Sequence, residues 1–78
     1  MKKGWYRAVY RSIVDGKERI HKPEYFTAMG DDEAKLIANG RSISGIYDSS
    51  TGELLPADVI SLEQVEPEFD WQVIRKVF

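Results

Sequence analysis

The chain has 78 residues, no cysteine, 42% hydrophobic residues and nine aromatic side chains. That is enough for one small domain, whose core buries roughly 60% of the surface the unfolded chain would expose, and it argues against wholesale disorder. It excludes disulfides and thiolate metal sites; with no apolar run near the ~20 residues of a membrane span and no signal-like apolar segment behind Met1, the expectation is a cytoplasmic protein.

The net charge of -2 divides unevenly. Residues 1–22 hold seven Lys or Arg against Asp15 and Glu18, a balance of +5, while residues 23–78 hold four against eleven acidic residues, a balance of -7. Either the two parts lie side by side and neutralise each other, or the basic part faces an acidic partner.

In chain order, Trp5 to Val14 is aromatic and β-branched. It reads as a strand with Trp5, Val9 and Ile13 on one face and Tyr6, Ala8, Tyr10 and Val14 on the other. Asp15-Gly16 predicts a two-residue type I′ hairpin turn, which needs positive φ at both central residues. Lys17 to Lys22 returns antiparallel, Pro23 breaks the ladder for want of an N–H, and Glu24 to Ala28 resumes as a strand with Phe26 and Ala28 on one face.

One helix follows, over about residues 31–40. Gly30 or Asp31 serves as N-cap, Asp31, Asp32 and Glu33 suit the positive end of the helix dipole, and Ala34, Ile37 and Ala38 form a narrow apolar stripe that Leu36 widens. Asn39-Gly40 is the expected stop. Ile43 to Tyr47 then reads as a short strand interrupted at Gly45. Asp48 to Gly52 is a turn, and Glu53 to Leu55 can pair back across it. Val59 to Val65 is a strand with Ile60 and Leu62 on one side. The stretch Phe69 to Phe78 fits a strand or a helix; its β-branched and aromatic content favours the strand. The predicted architecture is α+β: an antiparallel sheet of four to six strands with one helix packed on one face, in the order β-β-β-α-β-β-β, as a single domain over residues 1–78.

Catalytic chemistry finds little footing. His21 is the only histidine and reads as a surface hairpin residue, with no nucleophile elbow nearby. Asp31, Asp32 and Glu33 point about 100° apart in turn along a helix and do not converge on one substrate. Asp48, Ser50 and Gly52 begin like a calcium loop, but Val59 stands where its bidentate glutamate belongs. The glycines are too dispersed for a phosphate cradle. No enzyme, cofactor or metal is expected.

Nucleic-acid binding has a basis in Trp5, Arg7, Tyr10, Arg11, Lys17, Arg19 and Lys22, which interleave cations with aromatics as a backbone-tracking, base-stacking hairpin requires. The segment GWYRAVYRSIVDGKERIHK with YFTAMGDDEAK resembles the three-strand-plus-helix DNA-binding modules of phage and transposon integrases, through Trp5, Arg7, Asp15-Gly16-Lys17, Phe26 and Ala34. The resemblance covers about half the chain, and the acidic strands from Ile43 to Phe78 depart from it, so no family membership is assigned on it.

Protein binding is the preferred expectation. An edge strand with open hydrogen-bonding groups can be extended by a partner strand. A chain this short with aromatics on both strand faces is not expected to bury them all, and Phe69, Trp71 and Phe78 are candidates for a hydrophobic contact or a symmetric dimer seam. The sequence thus predicts a non-enzymatic binding or regulatory module acting on a protein partner or a second copy of itself, of a kind that suits an accessory protein of a phage or mobile element. A nucleic-acid-binding hairpin is the alternative.

Overall fold

The computed structural model describes residues 3–67 and 72–78. Its organising element is β1 (Gly4–Val14), to which β2 (Lys17–Ile20), β3 (Glu24–Ala28) and β6 (Asp58–Glu66) all pair antiparallel. β2 takes the C-terminal half of one edge of β1 and β3 the N-terminal half, so the two are one returning strand broken at Pro23. The far edge is β7 (Gln72–Lys76), antiparallel to β6. β4 (Ile46–Asp48) and β5 (Glu53–Leu55) form a separate two-stranded sheet. With α1 (Asp31–Ser44), this is the predicted α+β order.

Asp15 and Gly16 have φ of 52° and 75°, the pair of positive values that a type I′ turn demands. Beyond it β1 alternates cleanly. Tyr6, Ala8 and Tyr10 are buried with the helix residues Ala34 and Ala38, Ser12 is buried on the same side beside Pro56 and His21, and Trp5, Arg7, Val9, Arg11 and Ile13 face the opposite side. Small residues let the helix come close: Ala34 and Ala38 are fully buried against Tyr6, Ala8, Tyr10, Ala28 and Leu62, and Ile37 packs at the margin. Tyr6 and Phe26 stack at 6.1 Å between centroids.

The structure corrects three local expectations. The helix does not stop at Asn39-Gly40 but runs to Ser44. Asn and Gly tolerate a left-handed backbone without imposing it, and the helix ends at Gly45, where φ is 99° and the N–H bonds back to Arg41 O. Ile43 is therefore helical and Gly45 lies outside the strand. Leu36 does not widen the stripe; it is 73% exposed.

The third correction is one of phase. Val9 pairs with Ser61 but Tyr10 with Val59, so Ile60 is an extra, bulged residue. The bulge brings Val59 and Leu62 to the same side, and Ile60 does not share a face with Leu62. Ile74 is likewise skipped between the pairs Gln64–Arg75 and Val65–Val73. It sends Val73 to the open side of the sheet and Val77 towards the core, two positions that simple alternation puts together.

Candidate functional site

Among the described residues, the single helix packs on one face of the five-stranded sheet; the opposite face buries Val65, 2% exposed between Trp5 and Val73, and is exposed elsewhere, above all around Ile13 and Ile20. The register assigns that opposite face. Trp5, Arg7, Val9, Arg11 and Ile13 of β1 stand beside Thr27 and Tyr25 of β3, Ile20 and Glu18 of β2, and Glu63 and Asp58 of β6, with Val73 and Lys76 of β7 beyond. Its exposed apolar members are Trp5 and Tyr25 at 37%, Val73 at 38%, Ile20 at 53% and Ile13 at 60%.

The arginines on and around this face lie within ion-pair distance of carboxylates. Arg7 Nη2 lies 2.5 Å from Glu63 Oε1 and its Nε donates to the same oxygen at 3.1 Å. Arg11 sits 3.7 Å from Asp58 and 3.9 Å from Glu18, beyond hydrogen bonding, and its buried Nε has no hydrogen-bond partner. Arg19, which shares Ser12's side of the sheet, donates to Asp48 at 2.9 Å and to Ser50 at 2.7 Å. Three of the seven N-terminal cations, Arg7, Arg11 and Arg19, thus lie near anions from later in the chain, a partial neutralisation. Lys17 and Lys22 make no ion pair among the described residues.

The predicted nucleic-acid set is therefore divided. Trp5, Arg7 and Arg11 share the open face, Lys17 sits by the hairpin tip, and Arg19 and Lys22 border a groove described below. Tyr10 belongs to the core. It is fully buried, so its ring is not presented for stacking on a base, and burial pushes its hydroxyl pKa up to about 12, with the Glu24 charge adding to the effect. That hydroxyl lies near Glu24 but outside hydrogen-bond geometry. Of the predicted protein-contact residues, Phe69 and Trp71 lie outside the described residues. Phe78 is 44% exposed while its backbone is tied to Leu62, Phe78 N–H donating to Leu62 O at 3.1 Å and Phe78 O accepting from Leu62 N–H at 2.7 Å.

His21 has a partner that the sequence did not disclose. Ser12, buried at 2% exposure, donates its hydroxyl proton to the Pro56 carbonyl at 2.8 Å, and its oxygen lies 2.7 Å from His21 Nε2. A hydroxyl has one proton, so Nε2 carries the hydrogen of the second bond and donates it to Ser12 Oγ. An activating base must instead accept the serine proton. This pair ties β1, the 21–23 bend and the segment after β5 together.

Sequence reasoning also missed a groove of about 610 Å³ between β2 and β4, lined by residues 19–24 and 46–49 with Arg41. Arg19–Asp48 and Arg41–Glu24 join its sides, the latter pair at 2.6 Å. Asp48 also accepts from the Ser50 hydroxyl and N–H, which hold its carboxyl below the usual range with help from Arg19 and His21. The hairpin pairs Tyr47 with Leu54, both more than 60% exposed. The Asp48-to-Gly52 turn was the signal for that hairpin, but nothing local said where it would dock.

Among the described residues, no group of three or more His, Asp or Glu side chains gathers to hold a metal, and no helix is long and apolar enough to cross a membrane. The class defined by fold and surface is a small α+β domain with a one-sided helical layer. Comparison with protein-family models, with curated proteins and with solved structures finds no match.

Proposed function

We propose that this chain is a non-enzymatic binding or regulatory module that works through protein–protein contacts. The observation that carries this is the sheet face opposite the helix, where exposed Ile13 and Ile20 stand beside Arg11, Val73 is exposed at the far edge, and Arg7 is already paired with Glu63. Charges paired within a surface cost less to bury than unpaired ones, and an apolar patch in water gains by being covered. Phosphate binding, by contrast, has to take Arg7 and Arg19 from their present partners. Its size and lack of catalytic motifs suit an accessory protein of a phage or mobile element.

The test is sedimentation over a wide concentration range, comparing the wild type with an Ile13→Lys, Val73→Lys double variant. Both positions are exposed, so the fold tolerates the change, and association present in the wild type but lost in the variant supports the reading. A monomer at every concentration that turns over a substrate, with activity abolished by His21→Ala, overturns it.

The nucleic-acid alternative is favoured by one feature, the presence of Trp5, Arg7 and Arg11 on the same open face. Arg11 is the least committed of the arginines there, at ion-pair but not hydrogen-bond distances.

A further inference from the structure

We propose that the groove between β2 and β4 receives an extended peptide strand whose side chains alternate between acidic and apolar. The inference rests on the protein-binding reading above and names the partner's chemistry.

Consecutive residues line both walls, 19–24 on one and 46–49 on the other. The first wall combines the end of β2, Arg19 and Ile20, with the non-strand residues 21–23 and the start of β3. Strand side chains alternate between faces, so at Arg19 and Ile20 the backbone edge lies along the groove. On β2 the direction of that edge follows from the register. Ser12 faces Arg19, Val14 faces Lys17, and His21 N–H donates to Tyr10 O at 3.0 Å, so Lys17, Arg19 and His21 turn their backbone groups to β1. The alternation of an antiparallel ladder then turns the N–H and C=O of Glu18 and Ile20 outward, and of these Ile20 lines the groove. An added strand completes that ladder, about 4.8 Å from β2, and extends the five-stranded sheet towards the two-stranded one.

The side chains set the alternation. Arg19 pairs with Ser12 and Glu24 with Ala8 in register, so the Arg19–Asp48 and Arg41–Glu24 pairs lie on the helix side and form the polar floor. Ile20 points the other way, beside Arg11, and is 53% exposed; Tyr47, between the buried Ile46 and Asp48, is 61% exposed. A guest strand therefore meets charge on one side and apolar rims on the other. The two floor pairs cancel, and exposed Lys22 has no ion partner among the described residues, so the groove is left positive and selects carboxylates. The groove volume of about 610 Å³ is of ligand-site size.

The test is an amide NMR titration of the full chain with a synthetic octapeptide alternating Val and Glu. Its controls are a Val–Lys octapeptide and a Val–Glu octapeptide N-methylated at alternate residues. The expected result is shifts concentrated at residues 19–23 and 46–49 with the Val–Glu peptide, and binding at least about tenfold weaker for both controls and for Lys22→Glu. Four results overturn the proposal: no shifts at millimolar peptide, shifts centred elsewhere, equal binding of the N-methylated peptide, or the same resonances moving with protein concentration alone, which puts a second copy in the groove. Failure here, with association through Ile13 and Val73 intact, leaves the broader reading standing.

Discussion

Tyr10 shows how a residue's neighbours decide its role. Its aromatic ring and its place between Val9 and Arg11 fit a nucleic-acid surface as well as a core, and only the burial of the even-numbered side of β1 separates the two. Because its buried hydroxyl has no hydrogen-bond partner, Tyr10→Phe is expected to leave stability unchanged or raise it by about 1 kcal/mol, measured by urea unfolding. A loss of 2 kcal/mol or more, on the scale of an orphaned polar group, contradicts this.

Asp48 makes the opposite case. Hydrogen bonds from Ser50, and then the charges of Arg19 and His21, hold its carboxyl below the ordinary value. A depressed folded pKa means that the stabilisation is complete above the unfolded value of about 3.9 and disappears as pH falls through the lower, folded one. Asp48→Asn is therefore expected to be less stable than the wild type at neutral pH, with the gap closing in acid. A gap that is constant with pH refutes the carboxylate as its source.

At the scale of elements, the sequence is most informative where a residue type imposes a geometry. Asp15-Gly16 specified its turn and Pro23 its break, and the acidic run after Gly30 marked the helix start. Asn39-Gly40 misled because those residues only permit a stop. Gly45 is a stop where only glycine fits: a Cβ there would sit 3.3 Å from Leu54 Cβ and 3.4 Å from Leu55 O, at a φ of 99°. Gly45→Ala is expected to cost about 1–3 kcal/mol through strain and crowding, whereas Gly40→Ala, with nothing within 4 Å, gains a few tenths to 1 kcal/mol. Equal effects at the two positions in thermal unfolding run against this account.

The bulges at Ile60 and Ile74 were not legible, because one skipped residue inverts every side chain beyond it and leaves no local mark in composition. Both lie on strands needed by the core. Leu62 is fully buried and meets Val77 and Phe78 through backbone bonds, so deletion of Phe69 to Phe78 is expected to unfold the chain. A truncated chain that keeps its cooperative transition argues against β7 as structural.

For the whole molecule, the division of charge is legible in the sequence, but its meaning depends on which strands become neighbours. Placing β6 beside β1 brings Glu63 to Arg7 and Asp58 to Arg11, and the position of β4 brings Asp48 to Arg19. Contacts between residues 29 to 56 positions apart create these pairs, and no local pattern encodes them. The docking of the β4–β5 hairpin, and with it the groove, has the same long-range origin. The pairing of Arg7 with Glu63 and the exposure of Ile13 and Ile20 beside Arg11 favour a protein partner for the face opposite the helix.

The most direct test is a low-salt titration of the purified chain with mixed DNA and RNA, with solution mass recorded in the same buffer. The account predicts no salt-dependent complex, because the guanidinium groups of Arg7 and Arg19 are held by carboxylates. A complex that weakens steeply with salt, and whose salt dependence flattens in Arg7→Ala, Arg11→Ala and Lys17→Ala as fewer counterions are released, would contradict it and make the N-terminal hairpin the functional surface.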